Sequence, residues 1–265
     1  MTMELIENRD TFNKRFAAWK PNDDLAGLPY AENVHSMLTP FLRSLPMLNL
    51  ALISSAGGYI TGTEAFDLSA KDGDISYREI PVEVEAGDIS YAAKGYDTKD
   101  VLADRNSLIP IDRLQEYAAN GVIGSLNGVW WSVSSRIPNA VRVADELAPA
   151  IAGRLAHYNC QAALLIPASR LCHQTLGIVA RAVEDAGIPT VCVSVDRPMT
   201  DHVRPPRVVY YKGSFGSVAG KPNFSEYQRR ILDESLRSAE TFDQPGSRKL
   251  VVDLETQTET ARGER

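Results

Sequence analysis

One short segment of the chain, Ala168-Ser169-Arg170-Leu171-Cys172-His173, brings together a hydroxyl, a guanidinium, a thiol and an imidazole. The segment follows an apolar run of strand length and precedes apolar residues at helical spacing, so Cys172 falls at or near a first helical turn. The helix dipole and the free N–H groups of such a turn favour a thiolate and lower the pKa of a cysteine. We therefore expect Cys172 to be a nucleophile, with Ser169 and His173 beside it. The alternative is a small buried residue at a helix start.

Arg78 and Glu79 form a second candidate cluster, within residues 73–81. A guanidinium binds a carboxylate through paired hydrogen bonds, and a glutamate can transfer a proton. The pair predicts an arginine that holds a substrate carboxylate next to a general acid or base. The alternative is a surface ion pair, which contributes little to stability.

A third cluster contains Asp97, Asp104 and Asn106. Carboxylates and amides can contact a substrate or a cation, and the same side chains form Asx turns that order a loop. These three residues are candidate substrate contacts, although loop ordering is the simpler interpretation.

The other two cysteines, Cys160 and Cys192, lie beside or within predicted strands, where free cysteine behaves as a small apolar residue. The sequence has no C-x-x-C pair and no H-x-x-x-H pair, so we expect no metal site. The mixed-charge N-terminus does not have the pattern of a secretory signal. We therefore expect reduced thiols and a cytoplasmic protein.

Composition excludes several classes of protein. The chain has 265 residues with a net charge of −6, which argues against nucleic acid as a partner because phosphate binding requires a basic face. No apolar run approaches the roughly 18–20 residues that cross a bilayer, so we expect no membrane span. The 44% hydrophobic and 23% charged content is that of a globular protein.

A strand, a helix and a second strand form the clearest unit in the sequence. Apolar runs at 162–167 and 189–194 flank a helical stripe that contains Leu176, Val179 and Val183. This order predicts a βαβ crossover, and hence a parallel sheet with helices on both faces. We expect a Rossmann-like α/β fold, as one domain or as two fused lobes.

Weaker patterns fill in the rest of the chain. Strands are predicted at 48–55 and 122–126, and helices at 110–121, 138–157 and 225–238. Pro149 is expected to kink the second of these helices. We divide the chain into an N-terminal helical segment (1–45), an α/β domain (46–245) and a polar tail (246–265).

Several segments resemble one protein family in the order of their motifs. They include Asp74-Ile-Ser-Tyr-Arg-Glu-Ile-Pro81, Ile109-Pro-Ile-Asp-Arg-Leu-Gln-Glu116, Gly121-Val-Ile-Gly124 and the whole of 163–189, together with Tyr96-Asp97 and Asp104-Arg-Asn106. The chain resembles the glycine/sarcosine/betaine reductase selenoprotein B family, most closely its D-proline reductase type. The likeness covers about residues 45–245.

The resemblance implies a reaction and a pair of redox positions. Members of the family reductively cleave a carbon–nitrogen bond alpha to a carboxylate, using a selenocysteine or cysteine that is followed three positions later by a cysteine. By position these sites fall on Ser169 and Cys172, and a serine cannot form a selenenylsulfide. Ser169 therefore marks either a protein that kept the scaffold and changed the reaction, or an engineered replacement of selenocysteine.

Three functions stay open from the sequence. The preferred one is a reductase-like enzyme that uses Cys172 on a small amino-acid-like or carboxylate substrate, with Ser169 as a hydrogen-bond donor. The second is an isomerase, lyase or hydrolase that uses Ser169, Cys172, His173 and Glu79. The third is a non-catalytic binding subunit. No cofactor is evident in the chain. The resemblance implies a thiol reductant or a partner subunit that carries a pyruvoyl group, and a homo-oligomer.

Overall fold

A computed structural model describes residues 3–22 and 24–252 and is organised around an eight-stranded sheet. The strands are β1 (Asn49–Ser54), β2 (Gly58–Ile60), β3 (Tyr77–Pro81), β4 (Ile89–Tyr91), β5 (Ser125–Leu126), β6 (Val129–Val133), β7 (Ala162–Ile166), β8 (Thr190–Ser194), β9 (Arg207–Tyr210) and β10 (Gly246–Lys249). Of these, β2 and β4 form a separate antiparallel ribbon.

One α-helix precedes the first strand, and the others lie between strands. The helices are α1 (Arg9–Ala18), α2 (Lys99–Ala103), α3 (Ile111–Ala119), α4 (Ala140–Arg142), α5 (Ala148–His157), α6 (Arg170–Asp185), α7 (Arg197–Val203) and α8 (Ser225–Glu240). A π-helical turn, Val143–Leu147, joins α4 to α5, and 3-10 turns lie at Leu45–Met47, Ala86–Asp88 and Arg105–Ser107.

The sheet is parallel except at one edge. Its order is β10-β9-β8-β7-β1-β6-β3, with β5 pairing beside β1. Only β3 in this sheet runs antiparallel to its neighbour, β6. The strands of this sheet come from residues 49–249, and the ribbon of β2 and β4 is the second sheet among the described residues.

Alternating side chains of the central strands supply two separate cores. Leu50 and Leu52 of β1 pack in the core that includes α3 and α8, whereas Ala51 and Ile53 pack in the core that includes α1, α5, α6 and α7. Both faces of β1 are therefore buried, which explains why its sequence is a continuous apolar run. The predicted sheet with helices on both faces is confirmed.

The predicted βαβ unit is confirmed as β7, α6 and β8. The predicted helix over 138–157 is also present, and it widens into the π-helical turn immediately before Pro149. Proline has no N–H and its ring collides with the carbonyl four residues earlier in an α-helix. The wider turn accommodates this local defect within the helical segment.

The N-terminal segment differs from the expected helical one. Only Arg9–Ala18 forms an α-helix, and most of the rest runs over the surface in irregular structure. The fully buried Arg181 holds it by donating to the carbonyl oxygens of Glu4 and His35. Hydrogen bonds to the body of the protein thus fix this segment, and local helix propensity could not have revealed them.

The predicted polar tail is also partly wrong. Gly246–Lys249 forms the parallel edge strand β10 against β9, and Leu250 and Val252 are buried. The side chains of β10 are mostly exposed, so its sequence lacks the apolar pattern of a strand and the pairing depends on backbone hydrogen bonds. Residues 253–265 of that predicted tail lie outside the described residues.

A buried ion pair joins α6 to β9. Arg207 Nη1 donates to Glu184 Oε1 at 2.6 Å, and both side chains are almost completely buried. Replacing the arginine, as in Arg207→Met, leaves the Glu184 carboxylate buried without its cation. We expect the free energy of unfolding, measured with urea, to fall by about 3–5 kcal/mol.

The exposed pair Arg142 and Glu146, at helical spacing, provides the matched control. Arg142→Met should lower the free energy of unfolding by less than about 1 kcal/mol. Equal effects of the two substitutions would show that burial does not determine the contribution of the Arg207 pair.

Candidate functional site

The candidate site lies where the connections of the sheet diverge. Strands β1 and β7 are neighbours, but the chain leaves β1 towards β6 and leaves β7 towards β8. Parallel sheets bind ligands in the crevice that such a divergence opens at the carboxyl ends of the strands. Small hydroxyl side chains follow these strand ends, namely Ser55 after β1, Ser134 and Ser135 after β6, and Ser169 after β7.

Ser169 is the N-cap of α6. Its backbone is extended, and its Oγ accepts a hydrogen bond from the Cys172 N–H at 3.3 Å. The same hydroxyl donates to Cys172 Sγ at 3.1 Å. The Ser169 hydroxyl therefore accepts a hydrogen bond from a free N–H of the first turn, a role for which serine is favoured at N-caps. The same hydroxyl also contacts the thiol.

Cys172 occupies the predicted first turn, but its predicted low pKa is wrong. The residue is 1% exposed, and its Sγ lies 3.4 Å from the carbonyl oxygen of Ser135 and 3.5 Å from that of Ser55. Burial raises the pKa of the Cys172 thiol, and the hydrogen bonds from neighbouring groups oppose this without reversing it. Desolvation outweighs the helix dipole here, so the thiol keeps its proton.

His173 is close to Ser169 in the chain, but its ring serves the backbone. Nδ1 lies 2.7 Å from the carbonyl oxygen of Ser169, and Nε2 accepts the Val195 N–H at 3.2 Å. Burial lowers the pKa of His173 to about 4, so the ring is neutral and Nδ1 carries the hydrogen. Both nitrogens are engaged, which leaves no base for the predicted role beside Cys172.

A cavity of about 220 Å³ opens above Ser169. Three cationic side chains contribute to its wall together with hydroxyl and apolar groups; the lining residues are Asp24, Leu25, Tyr30, Lys94, Gly95, Ser135, Arg136, Ser169, Arg170 and Leu171. A larger groove of about 560 Å³ shares Lys94 and Arg136 with it. The cavity is small, and its three cationic residues outnumber the one carboxylate, that of Asp24. The net positive charge of the lining suits a small anionic ligand.

A loop covers the thiol on the side of the cavity. Gly95 has a φ of +86°, and a Cβ at this position would lie 3.2 Å from Ser169 Cβ. Next to it, the Tyr96 hydroxyl donates to the carbonyl oxygen of Ala56 at 2.6 Å. Burial raises the pKa of Tyr96, and the electrostatic influence of Cys172 acts in the same direction. Sequence reasoning missed the covering role of this loop.

The predicted pair of Arg78 and Glu79 lies away from the cavity above Ser169. Glu79 accepts from Arg154 Nε at 2.6 Å and from the Tyr158 hydroxyl at 3.0 Å, and the Arg154 guanidinium lowers the pKa of this carboxyl group. Arg78 instead lies over the Phe66 ring at 4.3 Å. The two side chains have separate partners, and neither lines the cavity above Ser169.

The third predicted cluster orders a loop. Asp104 caps the turn before Asn106 and accepts from Gln228 Nε2 at 2.7 Å. Burial alone would raise the pKa of Asp104, but hydrogen bonds from Gln228 and Asn106 hold it below its usual range. Asp97 is exposed and accepts from the backbone N–H of Lys99. None of the three lines the cavity above Ser169, and their contacts are those that the simpler interpretation, loop ordering, predicts.

The remaining cysteines are structural neighbours of the sheet and lie apart from the cavity above Ser169. Cys160 and Cys192 are buried and free, and burial raises the pKa of Cys160 to about 12. Within residues 3–22 and 24–252 no three His, Cys, Asp or Glu side chains are grouped as metal ligands. Over the same ranges, every helix is too short or too polar to cross a membrane.

Comparisons with known proteins point to one family. The family model of glycine/sarcosine/betaine reductase selenoprotein B matches residues 45–168. The D-proline reductase subunit gamma of Acetoanaerobium sticklandii is 31% identical over 213 residues, which cover 80% of this chain and 86% of that protein.

More distant relatives share a part of their length. The glycine reductase complex component B subunit gamma of Symbiobacterium thermophilum is 32% identical over 117 residues, covering 43% of this chain and 27% of the relative. The same subunit of Carboxydothermus hydrogenoformans is 25% identical over 175 residues, covering 64% and 39% respectively. No solved structure matches the chain significantly.

The buried His173 makes stability depend on pH. Its pKa is about 4 in the folded protein against 6.5 without the fold, so the unfolded chain takes up this proton first as the pH falls. Between pH 7 and pH 4 this group should cost on the order of 3 kcal/mol of unfolding free energy. The cost should be absent in His173→Asn, measured by urea unfolding at each pH. The exposed His157 is the control, and His157→Asn should keep the wild-type pH dependence. An unchanged pH dependence in His173→Asn would contradict the assignment.

Proposed function

Because this chain belongs to the glycine/sarcosine/betaine reductase selenoprotein B family, we propose that it acts as a subunit of a reductase complex. Its substrate is a small amino-acid-like or carboxylate molecule, bound in the cavity above Ser169. The relatives are subunits of D-proline reductase and of glycine reductase complexes, which supports this assignment. The cationic side chains Lys94, Arg136 and Arg170 favour a carboxylate at this position.

The contact between Ser169 Oγ and Cys172 Sγ carries the proposal. The two atoms are 3.1 Å apart at the start of α6, beneath a cavity at the carboxyl edge of the sheet. The resemblance assigns the two redox positions of the family to these residues. Side chains that must join through a bond between chalcogen atoms need this kind of direct contact. The contact therefore supports the proposal that these two residues occupy the redox positions, with a hydroxyl at one of them.

A single thiol cannot complete a reductive cleavage. Replacing a C–N bond with a C–H and an N–H bond consumes two electrons and two protons. Two thiols supply these when their sulfurs join as a disulfide. We assign Cys172 as one of the two, and a thiol reductant or a partner subunit as the source of the other. Ser169 then donates a hydrogen bond to the sulfur, as it does in the structure.

Access to Cys172 requires the covering loop to move. The thiol is buried and protonated, and the loop around Gly95 lies directly over Ser169. The Lys94 N–H donates to Ser135 Oγ at 2.9 Å, which holds this loop near the sheet. We propose that binding of the substrate or a partner subunit displaces the loop and exposes the sulfur.

From the family resemblance we propose that a partner subunit carries a pyruvoyl group and that this chain forms a homo-oligomer. Such a group would supply a carbonyl to activate the substrate. The groove that shares Lys94 and Arg136 with the cavity is the side from which another subunit could reach the substrate. In this proposal the residues of this chain bind the substrate carboxylate and position the Cys172 thiol.

A non-catalytic binding subunit is the second candidate. The serine at a redox position and the protonated, buried Cys172 both favour it. The isomerase, lyase or hydrolase alternative is weakened because Glu79 and His173, which it requires as proton carriers, are engaged with other groups.

Substitution of the two buried cysteines distinguishes these functions. In the complex assembled with its partner subunits, Cys172→Ala should reduce reductive turnover of D-proline or glycine by more than about a hundredfold, because one sulfur of the couple is lost. Cys192→Ala removes an equally buried thiol inside β8 and should stay within about threefold of the wild type. Substrate affinity, measured by calorimetry, should change little in either variant.

The outcomes separate the candidates. If Cys172→Ala retains turnover, the thiol role is wrong. If the wild type binds substrate but the complex gives no reduction that depends on this chain's thiol, the binding subunit is the better assignment. A wild-type chain that binds neither D-proline nor glycine would contradict the proposal as a whole.

A further inference from the structure

Part of the N-terminal segment forms one wall of the cavity above Ser169. Leu25 and Tyr30 line the cavity from this side, facing Ser169, Arg170 and Leu171 of the α6 start. The family model matches residues 45–168, so this wall lies outside the segment that the family model describes. The residues of this wall can therefore determine which substrate this chain prefers.

The wall is attached to the same helix that carries the thiol. The backbone N–H of Ala31, next to Tyr30, donates to Gln174 Oε1 at 2.8 Å, and Gln174 is completely buried in α6. Nearer the N-terminus, the Trp19 indole donates to the carbonyl oxygen of Ala26 at 3.0 Å. This hydrogen bond closes the loop between these two residues. Tyr30 is thus positioned relative to Ser169 by buried hydrogen bonds, not by a free chain end.

Among residues 3–22 and 24–252, the Tyr30 hydroxyl has no hydrogen-bond partner. The side chain is half-buried beside the ion pair of Arg170 and Asp196, and burial is the main reason that its pKa is raised. It therefore keeps its proton at neutral pH. Within the described part of the chain the hydroxyl forms no hydrogen bond, although it belongs to the wall of a cavity.

Arg170 is held in position on the same wall. Its Nε donates to Asp196 Oδ2 at 2.7 Å, and Asp196 is itself fixed because its Oδ1 accepts the Met199 N–H as the N-cap of α7. The arginine side chain is 59% exposed while its aspartate partner is 3% exposed. Arg170 is thus paired through Nε, is largely exposed, and lines the cavity.

We propose that the Tyr30 hydroxyl and the Arg170 guanidinium together bind the carboxylate of the substrate. The inference rests on the proposed function and names the groups that recognise its substrate. A carboxylate accepts hydrogen bonds at both oxygens, and a guanidinium with a neighbouring phenol supplies donors for both. Tyr30 then discriminates between an acid and its amide, because an amide offers one acceptor oxygen and no charge.

Calorimetric titration of the full-length chain tests this pairing, using D-proline and glycine as acids and D-prolinamide and glycinamide as their amides. Tyr30→Phe should weaken binding of the acid by about tenfold or more, which is the effect of one hydrogen bond to a charged group. Binding of the amide should change by less than about twofold. Arg170→Gln should weaken acid binding in the same direction, and the acid-to-amide preference should fall in both variants.

Tyr59→Phe is the matched control, because Tyr59 is a half-buried tyrosine of β2 outside the cavity. It should bind both ligands as the wild type does. Among the described residues the Tyr30 hydroxyl has no partner, so the melting temperature of Tyr30→Phe should match that of the wild type. If Tyr30→Phe does not fold, the acid-to-amide ratio of Arg170→Gln tests the inference instead. An unchanged ratio in Tyr30→Phe overturns this inference alone. A wild-type chain that binds neither acid overturns the proposed function instead.

Discussion

Desolvation at the start of α6 is the constraint on which the rest of the site depends. Ser169 and Cys172 are both almost fully buried between the carboxyl ends of β1, β6 and β7, so their polar atoms must find partners inside the protein. The serine hydroxyl serves the N–H and the sulfur of Cys172 together, and two strand-end carbonyl oxygens lie near the thiol hydrogen. A reactive thiolate cannot persist in this arrangement, and the cavity above it becomes the accessible part of the site.

The architecture could be predicted from the sequence because its central elements bury whole faces. The apolar sequences of β7 and β8 and the apolar stripe of α6 are compatible with few folds other than a βαβ crossover. The burial of Cys172 could not be predicted, because the backbone carbonyls around its sulfur, at Ser55 and Ser135, are distant in the chain. The loop at Gly95, which lies against Ser169, has no periodic pattern either. The same holds for the edge strand β10, whose side chains are exposed.

Arg78 and Glu79, which the sequence predicts to act as a pair, have separate partners for a simple geometric reason. Both residues lie in β3, and successive side chains of a strand point to opposite faces of the sheet. Adjacent residues of a strand therefore lie on opposite faces of the sheet and do not meet at one small substrate. The groups that do meet at the cavity, Tyr30, Ser135 and Arg170, come from three distant parts of the chain, and only the fold brings them together.

The most direct test of the account is whether Ser169 occupies the position of a redox atom. Ser169→Cys should form a disulfide with Cys172 when the folded protein is treated with oxidised glutathione, which takes up the two hydrogen atoms and becomes two reduced molecules. Mass spectrometry of the peptide that contains both residues should find the bond, and the double variant Ser169→Cys/Cys172→Ala should lack it. Two thiols that remain unjoined in the folded Ser169→Cys protein, and become joined only after unfolding, would contradict the account.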